Sequence, residues 1–137
     1  GASSMHRIFP LFFQQHRYLV KELNDVLAHH GLYHAQFTIL FLLREQKMMS
    51  LTAIWKYLNV EAPTVTRTVT RLEQMGFVQR VIGSDKREKI IELTPFAYEV
   101  LPAIIEDVES YERQMLRHLN EQDVEQLEAI LNKMKGD

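Results

Sequence analysis

Thr64, Thr66, Arg67, Thr70 and Arg71 share one short stretch, and Arg80, Lys86, Arg87 and Lys89 follow within two dozen residues. A guanidinium can make a paired contact to guanine O6 and N7 or hold a phosphate. Threonine hydroxyls suit phosphates, and threonine methyls suit thymine. These residue types are the equipment for reading a DNA groove. From Pro63 to Ile91 there are six cations and three anions. Taken singly, any of these charges reads as ordinary solvated surface.

Spacing turns the list into a face. On a helix at about 100° per residue, Val65, Val69 and Leu72 fall together as a buried stripe. Pro63, Arg67, Thr70 and Gln74 lie opposite, Thr64 and Arg71 flank one edge, and Thr66 flanks the other. A solvated helix face with no ligand usually carries Glu, Lys and Gln. Threonine at three positions outside the stripe argues against such a face, because it is a mediocre helix former.

The elements that must position this face are legible on either side. Helices are expected from Met5 to about His29, His34 to Arg44, Ser50 to Tyr57 and Pro63 to Met75. Pro10 is expected in a first turn or to delay the first helix. Ser50 is a cap for the third helix. Pro63 sits in the first turn of the fourth, where a missing N–H costs nothing. Gly76 ends it. Two β-runs, Phe77–Ile82 and Glu88–Leu93, flank the turn composition Gly83-Ser84-Asp85-Lys86-Arg87, a hairpin with a basic tip. Thr94-Pro95 starts a fifth helix to about residue 118, with Pro102 expected to bend it, and Asn120 caps a sixth over about 121–135.

The terminal helices carry their own apolar seams. Ala97, Leu101, Ile104, Val108, Tyr111 and Met115 recur at four- and three-residue steps, as do Val124, Leu127, Leu131 and Met134. The first helix repeats Ile8, Phe12, Leu19, Leu23, Val26 and Leu27. The expected interface of a two-fold dimer comprises Ile8, Phe12, Leu101, Ile104, Val108, Leu127 and Leu131. Such a dimer presents two reading helices roughly 34 Å apart. The alternative is packing of all these seams within one protomer.

Composition sets the outer bounds. The chain has 137 residues, 46% hydrophobic and 25% charged, which suits one globular domain over 1–137. The net charge is −2, with the acidity gathered in the last third, so a locally basic face remains workable. No cysteine is present, which excludes disulfides, thiolate metal sites and cysteine redox switching. The apolar run Phe37–Leu43 is too short to span a bilayer. Residues 1–4 read as a cloning remnant before Met5, no secretory signal is expected, and a cytoplasmic location is the default. No phosphate loop, nucleophile elbow or metal-catalytic motif marks an enzyme, and no cofactor is expected.

With these residues in view, the chain resembles the MarR family of winged helix-turn-helix regulators over nearly its whole length. The resemblance is carried by LTAIWKYLNVEAPTVTRTVTRLEQMGFVQR followed by DKREKIIELT. It implies a mainly α fold with a small β-hairpin wing and long N- and C-terminal dimerisation helices (5–30 and 95–137) around a DNA-binding core (34–94). It implies a homodimeric repressor on a pseudo-palindromic double-stranded operator. Pro63, Thr64, Thr66, Arg67, Thr70 and Arg71 then belong to the recognition helix, and Ser84, Asp85, Lys86 and Arg87 to the wing. Arg87 resembles the wing-tip arginine, and Asp85 the acid that shapes the tip. The chain departs from the family where the wing is about one residue shorter and lacks its proline. Glu61 replaces a good cap, and Ala97 stands for a usual glycine. Relatives bind small aromatic effectors in a crevice, for which Phe13, His16, Tyr33, His34 and Phe37 are the expected lining here, set against their plainer role as core side chains.

Two other readings stay open at this point. His29, His30, His34 and His118, with Asp25 nearby, have donors that suit zinc, so a metal-responsive regulator of the same fold is one alternative. Solvated turn histidines are the plainer account of them, and no metal site is assigned. The second alternative is a winged helix used only for protein interaction. That use favours exposed apolar residues on the fourth helix, where this chain has Arg and Thr.

Overall fold

The computed structural model describes residues 2–82 and 87–136. Six helices and three short strands follow in the order α1 (Ala2–Ala28), α2 (His34–Gln46), β1 (Met48–Ser50), α3 (Leu51–Leu58), α4 (Ala62–Gln74), β2 (Val78–Arg80), β3 (Ile90–Leu93), α5 (Pro95–Met115) and α6 (Glu121–Lys135). The strands form one antiparallel sheet in the order β1-β3-β2.

Local chemistry sets most boundaries. Ser50 Oγ accepts from the Ala53 amide at 3.0 Å, Thr94 Oγ1 from the Ala97 amide at 3.2 Å, and Asn120 Oδ1 from the Asp123 amide at 2.7 Å. Each satisfies an amide that the first helical turn leaves without a partner. Gly76 ends α4 at a φ of 83°, a left-handed conformation that costs glycine nothing. The Phe77 amide then reaches back to the Leu72 carbonyl at 2.9 Å. Asn59 takes the same region at φ 55° to turn α3 into α4, which asparagine tolerates through its short polar side chain.

Several expectations change. Pro10 lies inside α1 rather than at its start, because the helix already begins at Ala2. Pro10 and the residues around it, from Arg7 to Phe13, are exposed to solvent. Helix α5 runs through Pro102 but stops at Met115, so His118 stands in the turn before α6. Strand β1 is absent from the sequence reading. It is three residues long and exists because β3 offers it a ladder, Met49 facing Ile91. The hairpin strands are shorter than the β-runs; at the start of β2 the Phe77 amide is engaged by the end of α4.

One hydrophobic cluster joins Leu27, Leu40, Leu43, Ile54, Val65, Val69, Leu72, Ile91 and the inward side of α5. Leu101, Ile104 and Val108, expected at a dimer interface, are buried in this protomer core, with Leu101 only 1% exposed. Both α1 and β3 pack against α5 within the same chain. Ile8, Phe12, Leu127 and Leu131 do lie on the surface, and α6 buries none of its residues. No helix among the described residues is long and apolar enough to cross a membrane.

Candidate nucleic-acid interface

Helix α4 is fixed from behind by Val65, Val69 and Leu72, each no more than 1% exposed. Pro63, Thr64, Thr66, Arg67, Thr70 and Arg71 are all exposed. The outward face therefore carries two guanidiniums and three threonines, and no large hydrophobic side chain of α4 reaches the surface.

The threonines do more than occupy the face. Thr66 Oγ1 donates to the Ala62 carbonyl at 3.0 Å, Thr68 Oγ1 to Thr64 at 2.9 Å, and Thr70 Oγ1 to Thr66 at 2.8 Å. Each bond folds the hydroxyl back onto the preceding turn. A phosphate oxygen only accepts, so Thr66 and Thr70 are poorly placed to hold one without losing an internal bond. They offer an outside partner the methyl and a non-donating oxygen, which favours the thymine-methyl role over the phosphate role.

The hairpin is tied to α4 at its base. Lys89, just before β3, pairs with Glu73 of α4. Thr94 Oγ1 donates to the Gly76 carbonyl at 2.6 Å, closing the ladder onto the end of the same helix. Within the hairpin, Gln79 Nε2 donates to Glu92 Oε2 at 2.9 Å. Arg87 is exposed beyond this base. Ser84, Asp85 and Lys86 of the expected wing tip lie outside the described residues.

Behind α4 is a mostly apolar crevice of about 300 Å³, lined by His16 of α1, by His34, Ala35, Thr38 and Ile39 of α2, by Leu58 and Val60, and by Thr64, Val65 and Thr68 of α4. Of the expected effector residues it gathers His16 and His34. Phe13 and Tyr33 are exposed and do not line it. Phe37 lines separate grooves with Phe41 and Val108. Thr64 and Thr68 of α4 form a wall that the sequence did not single out; Thr64 is exposed and Thr68 half-buried, because the inward stripe of α4 is wider than Val65, Val69 and Leu72. Burial lowers the His34 pKa below 6.5, and the neighbouring His16 adds to the shift.

The other histidines do not converge with His34. His30 Nε2 lies 2.6 Å from Asp107 Oδ2, joining the end of α1 to α5. His29 shares a shallow surface with Asp25 and Asp107. Among the described residues no three His, Asp or Glu side chains are placed to hold a metal ion. A second α1–α5 tie runs from the Tyr111 hydroxyl to Glu22 Oε1 at 3.2 Å. Burial, with this hydrogen bond, pushes the Tyr111 pKa up to about 12.

A helix-turn-helix whose second helix is exposed along one cationic side, followed by a hairpin, defines a winged helix-turn-helix protein. The family model described as MarR family matches residues 32–89. The chain is 43% identical over 112 residues to the uncharacterized HTH-type transcriptional regulator YwoH of Bacillus subtilis, covering 82% of each. The transcriptional regulator BldR from Sulfolobus solfataricus superposes with a TM-score of 0.86 at 27% identity, over 97% of this chain and 95% of that one. A mutant MarR from E. coli complexed with operator DNA gives 0.85 at 23% identity, over 96% and 95%. The chain belongs to the MarR family of transcriptional regulators.

Proposed function

We propose that the protein is a homodimeric, sequence-specific double-stranded DNA-binding regulator, acting as a repressor on a pseudo-palindromic operator in the cytoplasm. The observation that carries this is the outward face of α4, with Arg67, Arg71 and the threonines exposed and the apolar stripe buried. A protein-interaction module would favour apolar residues on that surface. The fold is also that of a MarR seen complexed with operator DNA.

Dimerisation is supported by the surfaces left open. Ile8, Phe9, Phe12 and Phe13 of α1 and Leu127, Ile130, Leu131 and Met134 of α6 are all at least 40% exposed. Apolar stripes of this length on both terminal helices call for a cover. A second copy supplies one, and a two-fold arrangement sets two α4 helices on successive major grooves.

The crevice at His16 and His34 supports an effector site for a small aromatic molecule. Its α4 wall means that an occupant bears on the reading helix itself. An effector that binds more tightly to a dimer with mismatched helix spacing would release the operator. No catalytic step is assigned to the protein.

The test is selection of bound sites from random duplexes, followed by binding measurements at several salt concentrations. Enrichment of a two-fold symmetric motif is expected. Equal retention of all sequences would overturn the sequence-specific reading, and no retention at all would overturn DNA binding.

A further inference from the structure

Glu61 occupies the position just before α4, where a side chain normally caps the helix, yet its carboxylate makes no capping bond. It is exposed, together with Ala62 and Pro63. It borders an open crevice of about 650 Å³ between α3 and α4, shared with Trp55, Lys56 and Asn59. Among the described residues no ion pair joins it to Lys56, whose ammonium lies over the Trp55 ring, 5.7 Å from the centroid. An uncommitted acid thus stands at the leading end of the DNA-reading helix. Against phosphates it can only weaken binding.

Base edges are a different matter. The N-terminal residues of a recognition helix are the ones that meet base edges in the major groove. A carboxylate accepts hydrogen bonds and gives none. Guanine presents two acceptors there, and thymine an acceptor and a methyl. Adenine sets its amino group beside the N7 acceptor, which repels a carboxylate. Cytosine's amino donor has an acceptor on one side only, the paired guanine O6, with a C–H on the other, whereas adenine's is flanked by acceptors on both sides. We infer that Glu61 is a specificity-determining residue that accepts a hydrogen bond from a cytosine N4 amino group in each half-site. This rests on the reading of α4 as the DNA-reading helix. It also gives a use to an acid that is otherwise a liability on this surface.

The experiment compares duplex selection by the full-length wild type, Glu61→Ala and Glu61→Gln. The wild type is expected to enrich cytosine at one position per half-site. Replacing that cytosine should weaken its binding roughly fivefold to a hundredfold, the range for one good base contact. Glu61→Ala should lose this preference, and Glu61→Gln should move it toward adenine, whose N6 and N7 suit an amide. An unchanged base preference in both variants, with tighter binding to every sequence, would show that Glu61 only repels phosphate and overturns the inference alone. A wild type that enriches no motif, tested in the same selection, overturns the DNA-reading function beneath it.

Discussion

The Lys89 ammonium and the Glu73 carboxylate are paired across the junction between the hairpin and α4, both side chains about one-third exposed. The wing and the helix bearing Arg67 are therefore coupled at their bases, not only through the shared core. Solvent screening limits the pair to about 0.2–1 kcal/mol of stability. Glu73→Gln should lower the melting temperature only slightly yet weaken operator binding, by freeing the wing to move relative to α4. A double-mutant cycle with Lys89→Gln measured by DNA binding checks this. Additive effects of the two changes would show that the pair does not act as a unit.

Arg67 projects from the exposed side of α4, opposite Val65 and Leu72. Arg67→Ala should cost about 1–3 kcal/mol in operator binding and relax preference at one base pair. Titration of the selected operator and of its single-base variants reads both effects. If the loss is equal on all sequences, Arg67 holds a phosphate rather than a base.

Arg87 lies at the far end of the hairpin. Its replacement by Ala should weaken binding broadly and reduce the slope of log affinity against log salt by about one. An unaltered slope would remove it from the contacts.

Phe12→Glu and Leu131→Glu place charge on exposed apolar stripes and should give folded monomers by sedimentation. Leu101→Ala tests the contrast. Leu101 is buried in the protomer core, so truncation should cost about 2–5 kcal/mol of folding stability and leave the association state of the folded fraction unchanged. A fully dimeric Leu131→Glu protein would place the partner surface elsewhere.

His34 has a folded-state pKa below its unfolded value of 6.5, through burial first and His16 second. In the window from about 6.5 down to the lowered pKa, the unfolded chain binds the proton that the folded chain resists. Stability therefore falls as pH drops through that window. His34→Gln, which cannot titrate, should flatten this part of a denaturation-against-pH profile. An identical acid slope in the variant would assign the loss to other groups.

The amino-acid sequence alone determined the helix order and the caps at Ser50, Thr94 and Asn120. It also determined the two-sided character of α4, with Arg67 opposite Val65, Val69 and Leu72. These rest on local rules: hydrogen-bond satisfaction at helix ends and a fixed angle per residue. Tertiary structure decided what covers each apolar seam. Leu101, Ile104 and Val108 have the same spacing signature as Leu127 and Leu131, yet the first set is enclosed by the protomer and the second is open. Periodicity states which side of a helix avoids water and is silent on its neighbour. The strand Met48–Ser50 and the meeting of His16 with His34 behind α4 share that origin. A three-residue ladder and a crevice between four helices arise from contacts distant in the chain, which only the packed fold brings together.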